Sequence, residues 1–193
     1  MTFNEIKNRL SGKTVGIAGA GGLGSNCAVA LARVGVCKLI IADFDVVSES
    51  NLNRQYYFYN QIGRKKVDAL KENIMAINPV VEVESHDIKL DEKSVLTLFA
   101  GCDVIVEAFD MAGMKQMIIE TVLDELPGKP LVAGLGMAGW GDSNSIKLRK
   151  EGNLYICGDE KSEIADDNPP LAPRVGMVAN MQANVVLEIL LNK

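Results

Sequence analysis

The feature that most constrains this chain is a change of character between residues 14 and 35. Thr14 to Ala18 is a short β-branched, apolar run, Gly19-Ala20-Gly21-Gly22-Leu23-Gly24-Ser25 follows directly, and an Ala- and Val-rich segment continues to Gly35. The run reads as a strand, the glycines as a tight turn and the segment as a helix. Lys38 to Ala42 is a second apolar run ending in Asp43. Together these make a βαβ unit, whose two strands lie parallel through a right-handed crossover. An open sheet with helices on its faces is the fold this opening predicts.

The alternation continues. Thr2 with Glu5 forms a capping box for a short first helix ending near Ser11-Gly12. Val67, Leu70, Ile74 and Ile77 recur at helical spacing in Lys65 to Ile77, Val81 to Ser85 alternates as a strand, and Glu92 to Phe99 is helical. Asp103 to Val106 is a buried-type strand, Met114 to Leu126 a helix and Leu131 to Ala133 another strand. Ser145 to Arg149 and Leu154 to Ile156, flanking Glu151-Gly152, read as an antiparallel hairpin. Cys157 to Pro173 is a polar, proline-rich loop, and Val175 to Leu191 a closing helix with one strongly apolar face. The predicted fold is a doubly wound, Rossmann-like α/β domain over residues 1–193, mostly parallel, with an antiparallel extension near the C-terminus.

Several functions are disfavoured by composition. Twenty Lys and Arg face 25 Asp and Glu, for a net charge of −5 without a basic block, so nucleic acid is not an expected partner. Charged residues are mixed into Met1 to Lys13, and no apolar stretch is long enough to span a membrane, which predicts a cytoplasmic protein without a leader. Cys27, Cys37, Cys102 and Cys157 contain no CxxC pair, and His86 is the single histidine. Neither a disulfide framework nor a zinc site is expected.

The glycine segment satisfies GxGxxG through Gly19, Gly21 and Gly24, with Asp43 about 20 residues on. Such glycines bring backbone N–H groups close to phosphates at a helix amino end, and the acid accepts ribose hydroxyls. This logic fits NAD and ATP equally. An NAD(P)-dependent oxidoreductase is therefore one reading, and a non-catalytic nucleotide- or partner-binding protein of the same fold another.

Further motifs follow in order: Asp43-Phe44-Asp45-Val46-Val47, Ser50-Asn51-Leu52-Asn53-Arg54-Gln55, Lys65-Lys66-Val67 and Glu107-Ala108-Phe109-Asp110. Together with Gly19 to Ser25 they resemble the ThiF/MoeB family of adenylating enzymes that activate ubiquitin-like proteins, and most resemble the shorter, family-two ThiF-like proteins of thiamine biosynthesis. The resemblance implies ATP-dependent adenylation of the C-terminal glycine carboxylate of a small ubiquitin-like sulfur carrier. Gly19, Gly21, Gly22, Leu23, Gly24 and Ser25 would cradle the phosphates and Asp43 the ribose. Arg54 and Lys66 would meet the triphosphate, Asn51 and Gln55 would bond phosphate oxygens or fix the arginine, and Asp110 would bind Mg2+. A homodimer built around the last helix is also implied.

Bare chemistry asks for the same residue types, because a carboxylate attacking a triphosphate needs cations and a divalent metal where charge accumulates. Outside the motif, Arg54 and Lys66 would read as solvated charges and Asp110 as a cap for the helix beginning near Met111, while Asp45 is open between holding the loop, adding to the metal site and making an Asx turn. Cys157 reads as a buried structural thiol. Trp140, between two glycines, and the acidic stretch Asp159 to Asp167 read as exposed loop.

Overall fold

The structure, a computed structural model, describes residues 1–192. In chain order its elements are α1 (Phe3–Leu10), β1 (Thr14–Ala18), α2 (Gly22–Val34), β2 (Lys38–Asp43), α3 (Lys66–Ile77), β3 (Glu82–Asp87), α4 (Glu92–Phe99), β4 (Val104–Glu107), α5 (Ala112–Glu125), β5 (Leu131–Gly134), β6 (Lys147–Glu151), β7 (Leu154–Gly158) and α6 (Ala172–Leu191). The strands form one sheet of order β3-β2-β1-β4-β5-β7-β6. All pairings are parallel except β6 with β7, so the doubly wound sheet with its antiparallel extension is present. None of these helices is long and apolar enough to cross a membrane.

Strand side chains point alternately to opposite faces, and the core divides accordingly. Val15, Ile17, Leu39, Ile41, Val104 and Val106 join one buried cluster with residues of α1, α2, α3 and α6. Ala18, Ile40, Ala42 and Ile105 join the other with Val95, Phe99, Ile118 and Val122 of α4 and α5. Both faces of the central strands are covered, which is why their sequences are nearly continuous apolar runs rather than alternating ones.

The expected loop from Cys157 to Pro173 is shorter at both ends. β7 runs to Gly158, and α6 begins at Ala172 with Pro173 in its first turn. Proline is tolerated there because the amide hydrogen it lacks has no intrahelical partner in any case. The remaining strap, residues 159–171, is anchored rather than loose. Asp159 accepts hydrogen bonds from Lys161 and Ser162 N–H and from the Arg174 guanidinium, and both members of this ion pair are 6% exposed. Arg174 also donates to Ser145 Oγ and the Gly141 carbonyl. The apolar face of α6 is largely covered within the chain, leaving Met177 exposed.

Removing the carboxylate alone strands a buried guanidinium. Asp159→Ala is therefore expected to lower stability by about 3–5 kcal/mol, read from urea unfolding; a loss below about 1 kcal/mol would mean that water reaches the pair. Burial opposes the Asp159 charge, but the Ser162 and Lys161 N–H groups and Arg174 outweigh it and hold the carboxyl well below the usual range. This contribution should be complete above about pH 4 and fall away as the pH drops further.

Candidate functional site

The strand order reverses between β1 and β4, and in open α/β sheets the crevice at the carboxyl ends of such strands is where ligands bind. A cavity of about 760 Å³ lies there, within the size range of small-molecule and cofactor sites. Its walls include Gly19, Gly21, Gly22 and Leu23, then Asp43 to Asp45, Asn53 to Gln55 and Lys66, and Ala108 to Asp110 with Lys115. Ile164, Pro169 and Pro170 of the strap close one side.

The glycines of the loop do different work. A Cβ on Gly24 would lie 1.9 Å from the Gly19 carbonyl oxygen, so Gly24 lets α2 seat against the end of β1. A Cβ on Gly21 would meet no protein atom closer than Gln55 Nε2 at 3.8 Å, and Gly21 borders the cavity. Ser25, fully buried, donates to the Gly21 carbonyl (2.6 Å) and accepts from Tyr56 N–H (3.0 Å), pinning the loop from behind. Gly24 and Ser25 thus shape the turn and do not line the cavity.

Asp43 binds two backbone segments at once. Its Oδ2 accepts from Ala20 N–H (2.6 Å) and its Oδ1 from Asp45 N–H (2.8 Å). The Asx turn, one of the alternatives for Asp45, is made by Asp43 instead, and each Asp43 oxygen retains a lone pair. Asp45 instead pairs with Lys66 Nζ at 2.7 Å. The Lys66 side chain is only 7% exposed, whereas its neighbour Lys65 reaches outward to Asp87. Lys66 opens α3, where the helix dipole is unfavourable for a cation, so fold stability alone does not explain its place.

Arg54 Nη1 donates to the Ser50 carbonyl (3.0 Å) and to Asn53 Oδ1 (2.7 Å). Gln55 lines the cavity, and its Oε1 is buried without a hydrogen-bond partner among the described residues. Asn51 is not at the cavity wall. Its side chain accepts from Ser48 N–H (3.0 Å), and its carbonyl accepts from the Arg54 and Gln55 amides, so it builds the turn carrying those two residues. Asp110 is exposed at the rim. Met111, not Asp110, is the N-cap of α5, and no side chain caps that helix; capping does not account for Asp110.

One pair escaped the sequence reading. Glu107 ends β4 fully buried, and Lys115 Nζ lies 2.9 Å from both its carboxylate oxygens while donating to the Gly134 carbonyl at 2.8 Å. Burial pushes the Glu107 carboxyl up, and Lys115 opposes the shift. Glu107 Oε1 also accepts from Phe109 N–H (2.7 Å), fixing the turn that presents Asp110. A carboxylate closing the apolar run Val104-Ile105-Val106, with a lysine in the next helix, was the available signal.

These residues suit a Mg2+ nucleotide. The Gly21 face accommodates atoms that a Cβ would displace, the unpartnered Gln55 oxygen awaits a donor, and Arg54 with Lys66 supplies cations. Among the described residues no group of three or more His, Cys, Asp or Glu side chains could hold a metal. Mg2+ commonly binds through one or two carboxylates together with substrate phosphates, a role Asp110 fits. The Cys157 thiol is away from solvent, and burial pushes it up to about 12.

Residues 3–193 match the ThiF family. The chain belongs to that family. The SAMP-activating enzyme E1 of Haloferax volcanii, a ThiF-like relative, is 31% identical over 98% of this chain and 71% of its own. The adenylyltransferase and sulfurtransferase UBA4 of Eremothecium gossypii is 32% identical over 93% of this chain but 38% of its own length. The chain spans roughly a third to under a half of the first curated relatives it matches. The solved structure of the E. coli tRNA N6-threonylcarbamoyladenosine dehydratase TcdA with AMP superposes with a TM-score of 0.87 at 19% identity, covering 97% of this chain and 90% of that one. That likeness establishes the shared ThiF fold.

The two glycines separate fold from ligand. Gly24→Ala should unfold at a markedly lower temperature, by the 1–3 kcal/mol or more, in order of magnitude, of an overpacked contact. Gly21→Ala should keep its melting temperature within about 2 °C and lose ATP affinity in calorimetry. Equal behaviour of the two variants would refute the division.

Proposed function

We propose that residues 1–193 form an ATP-dependent adenylation domain, acting in the cytoplasm on the C-terminal glycine carboxylate of a small ubiquitin-like sulfur carrier, with thiamine biosynthesis as its setting. The observation that carries this reading is the gathering of the glycine loop, Asp43, two basic side chains and Asp110 around one cavity. An oxidoreductase would use the loop and Asp43 but leave Arg54, Lys66 and Asp110 idle. The net charge of −5 favours a protein carrier over RNA, since it gives no general attraction to a phosphate backbone.

In the proposed reaction a carboxylate oxygen of the carrier attacks the α-phosphorus of ATP. A carbon-linked O–P bond forms, the bond to the β-phosphate bridging oxygen breaks, and pyrophosphate carries away the electron pair. Backbone N–H groups around Gly21 and Gly22 hold phosphate oxygens at the amino end of α2. Asp43 orients the ribose. Arg54 and Lys66 lower the repulsion between two approaching anions and stabilise charge on the leaving group. Asp110 would hold Mg2+, which supplies charge neutralisation across the phosphates when bound.

With a carrier ending in Gly-Gly, Arg54→Ala should slow magnesium-dependent pyrophosphate exchange by about 10² to 10³ while ATP still binds. Asp110→Ala and Asp110→Asn should both keep wild-type stability, raise the magnesium requirement and depress exchange. Normal exchange in both Asp110 variants would remove the metal assignment, and NADH binding at micromolar affinity with a silent Arg54→Ala would favour the oxidoreductase. Exchange stimulated by tRNA and by no carrier would move the substrate class to RNA.

The buried Cys157 is assigned no part in adenylation, so Cys157→Ser should exchange pyrophosphate at close to the wild-type rate. Loss of exchange in a folded variant would put the thiol in the reaction. A homodimer completes the proposal, and sedimentation should show two chains; with most of the α6 face already covered, its contact on that helix would draw on the exposed Met177.

A further inference from the structure

Arg54 has a one-sided arrangement of contacts. Both are made by Nη1, to the Ser50 carbonyl and Asn53 Oδ1, and together they use its two hydrogens. No hydrogen bond from Nε or Nη2 to another described residue accompanies them. The edge formed by Nε–H and Nη2–H is one of the two that can grip two phosphate oxygens side by side. Spending Nη1 on the protein leaves that edge for a ligand, and the stem runs beside the glycine loop, where a Cβ added to Gly22 would lie 3.6 Å from Arg54 Cγ.

Asn53 is itself held from the opposite side. Its Nδ2 donates to the Pro170 carbonyl (3.2 Å) across 117 residues of sequence, and its own carbonyl accepts from Ala172 N–H (3.2 Å). The amide therefore links two parts of the cavity wall, with its oxygen on the arginine and its nitrogen on the strap. Pro170 is in turn paired with Ala138 and Gly139 by isolated bridges, and Gly139 N–H bonds the Pro169 carbonyl. An exposed asparagine needs no such bilateral hold for stability.

We propose that Asn53 is a positioning residue: by bridging Pro170 of the strap and Arg54, it aims the free edge of the guanidinium at the β- and γ-phosphates. The proposal deepens the adenylation reading and rests on it for the identity of the ligand. It makes the orientation of a phosphate-binding cation depend on the seating of the strap, through one amide group. The Ala172 N–H contact is to the Asn53 backbone, so removing the side chain leaves the start of α6 attached.

The test measures affinities for Mg·ATP and for AMP by calorimetry in wild type, Asn53→Ala, Arg54→Ala and the double variant, with melting temperatures alongside. AMP lacks the β- and γ-phosphates and serves as the internal control. Asn53→Ala should weaken Mg·ATP about tenfold, which is about 1.4 kcal/mol and on the scale of one hydrogen bond to a charged group, while leaving AMP unchanged. The double variant should bind Mg·ATP no more weakly than Arg54→Ala, because Asn53 acts through the arginine.

Three results would overturn the proposal: unchanged Mg·ATP affinity in Asn53→Ala, equal losses for ATP and AMP, or losses that multiply in the double variant. If Arg54→Ala weakens Mg·ATP selectively and Asn53→Ala does not, this inference alone fails. If the wild type binds neither ATP nor AMP, the nucleotide reading fails with it.

Discussion

The seating of α2 against the end of β1 governs everything at the cavity. At Gly24 the helix comes so close that a single methyl group would collide with the Gly19 carbonyl, and Gly19, at φ +100°, packs in turn on the Ala108 carbonyl beyond β4. The two strands at which the sheet reverses are thereby brought together at their carboxyl ends by close backbone approach, with the Ala108 N–H also donating to the Ala18 carbonyl (2.9 Å). The amino end of α2 then opens directly onto the cavity, and Ser25 reaches from the same helix to the Tyr56 amide, holding the segment that carries Arg54. Loosening this one contact would move the phosphate cradle, the arginine turn and the Ala108-Phe109-Asp110 turn relative to one another.

Electrostatic cost marks the site more clearly than burial does. Lys66 is the first residue of α3 and Lys115 lies in the first turn of α5, so both cations sit at the unfavourable end of a helix dipole. Each is steadied by a carboxylate, Asp45 for Lys66 and Glu107 for Lys115. The two pairs differ. Glu107 is sealed in the protein and has a structural part in setting the Phe109 amide, whereas Asp45 is half exposed. An anionic ligand would compete with Asp45 for Lys66 far more easily than with Glu107 for Lys115. A placement that weakens two helices is understandable if it serves the cavity.

Much of the architecture was legible because it rests on local rules. Apolar runs bounded by glycine, helical periodicity in Lys65 to Ile77 and the Thr2–Glu5 capping box each specify an element within a few residues, and all appear. The hairpin around Gly152 followed from turn chemistry, its φ of +59° being one that glycine adopts freely. The strap was harder. Its ends are set by Asp159 with Arg174 and by Pro170 with Asn53, pairings 15 and 117 residues apart that no local pattern encodes.

For the site, the sequence determined the residue types and their order: glycines where backbone must approach backbone or ligand, acids at strand ends and cations shortly after. Steric and hydrogen-bonding demands of a βαβ turn are local, and they leave a readable trace. Tertiary structure alone decided which of these residues face the cavity. Asn51 and Ser25 proved to serve their own turns, Asp43 rather than Asp45 makes the Asx turn, Asp110 is free of the helix it precedes, and Lys115 joins the wall. Those outcomes depend on how helices from distant parts of the chain settle on one sheet, since a side chain's direction and its competing partners exist only once the packing is complete.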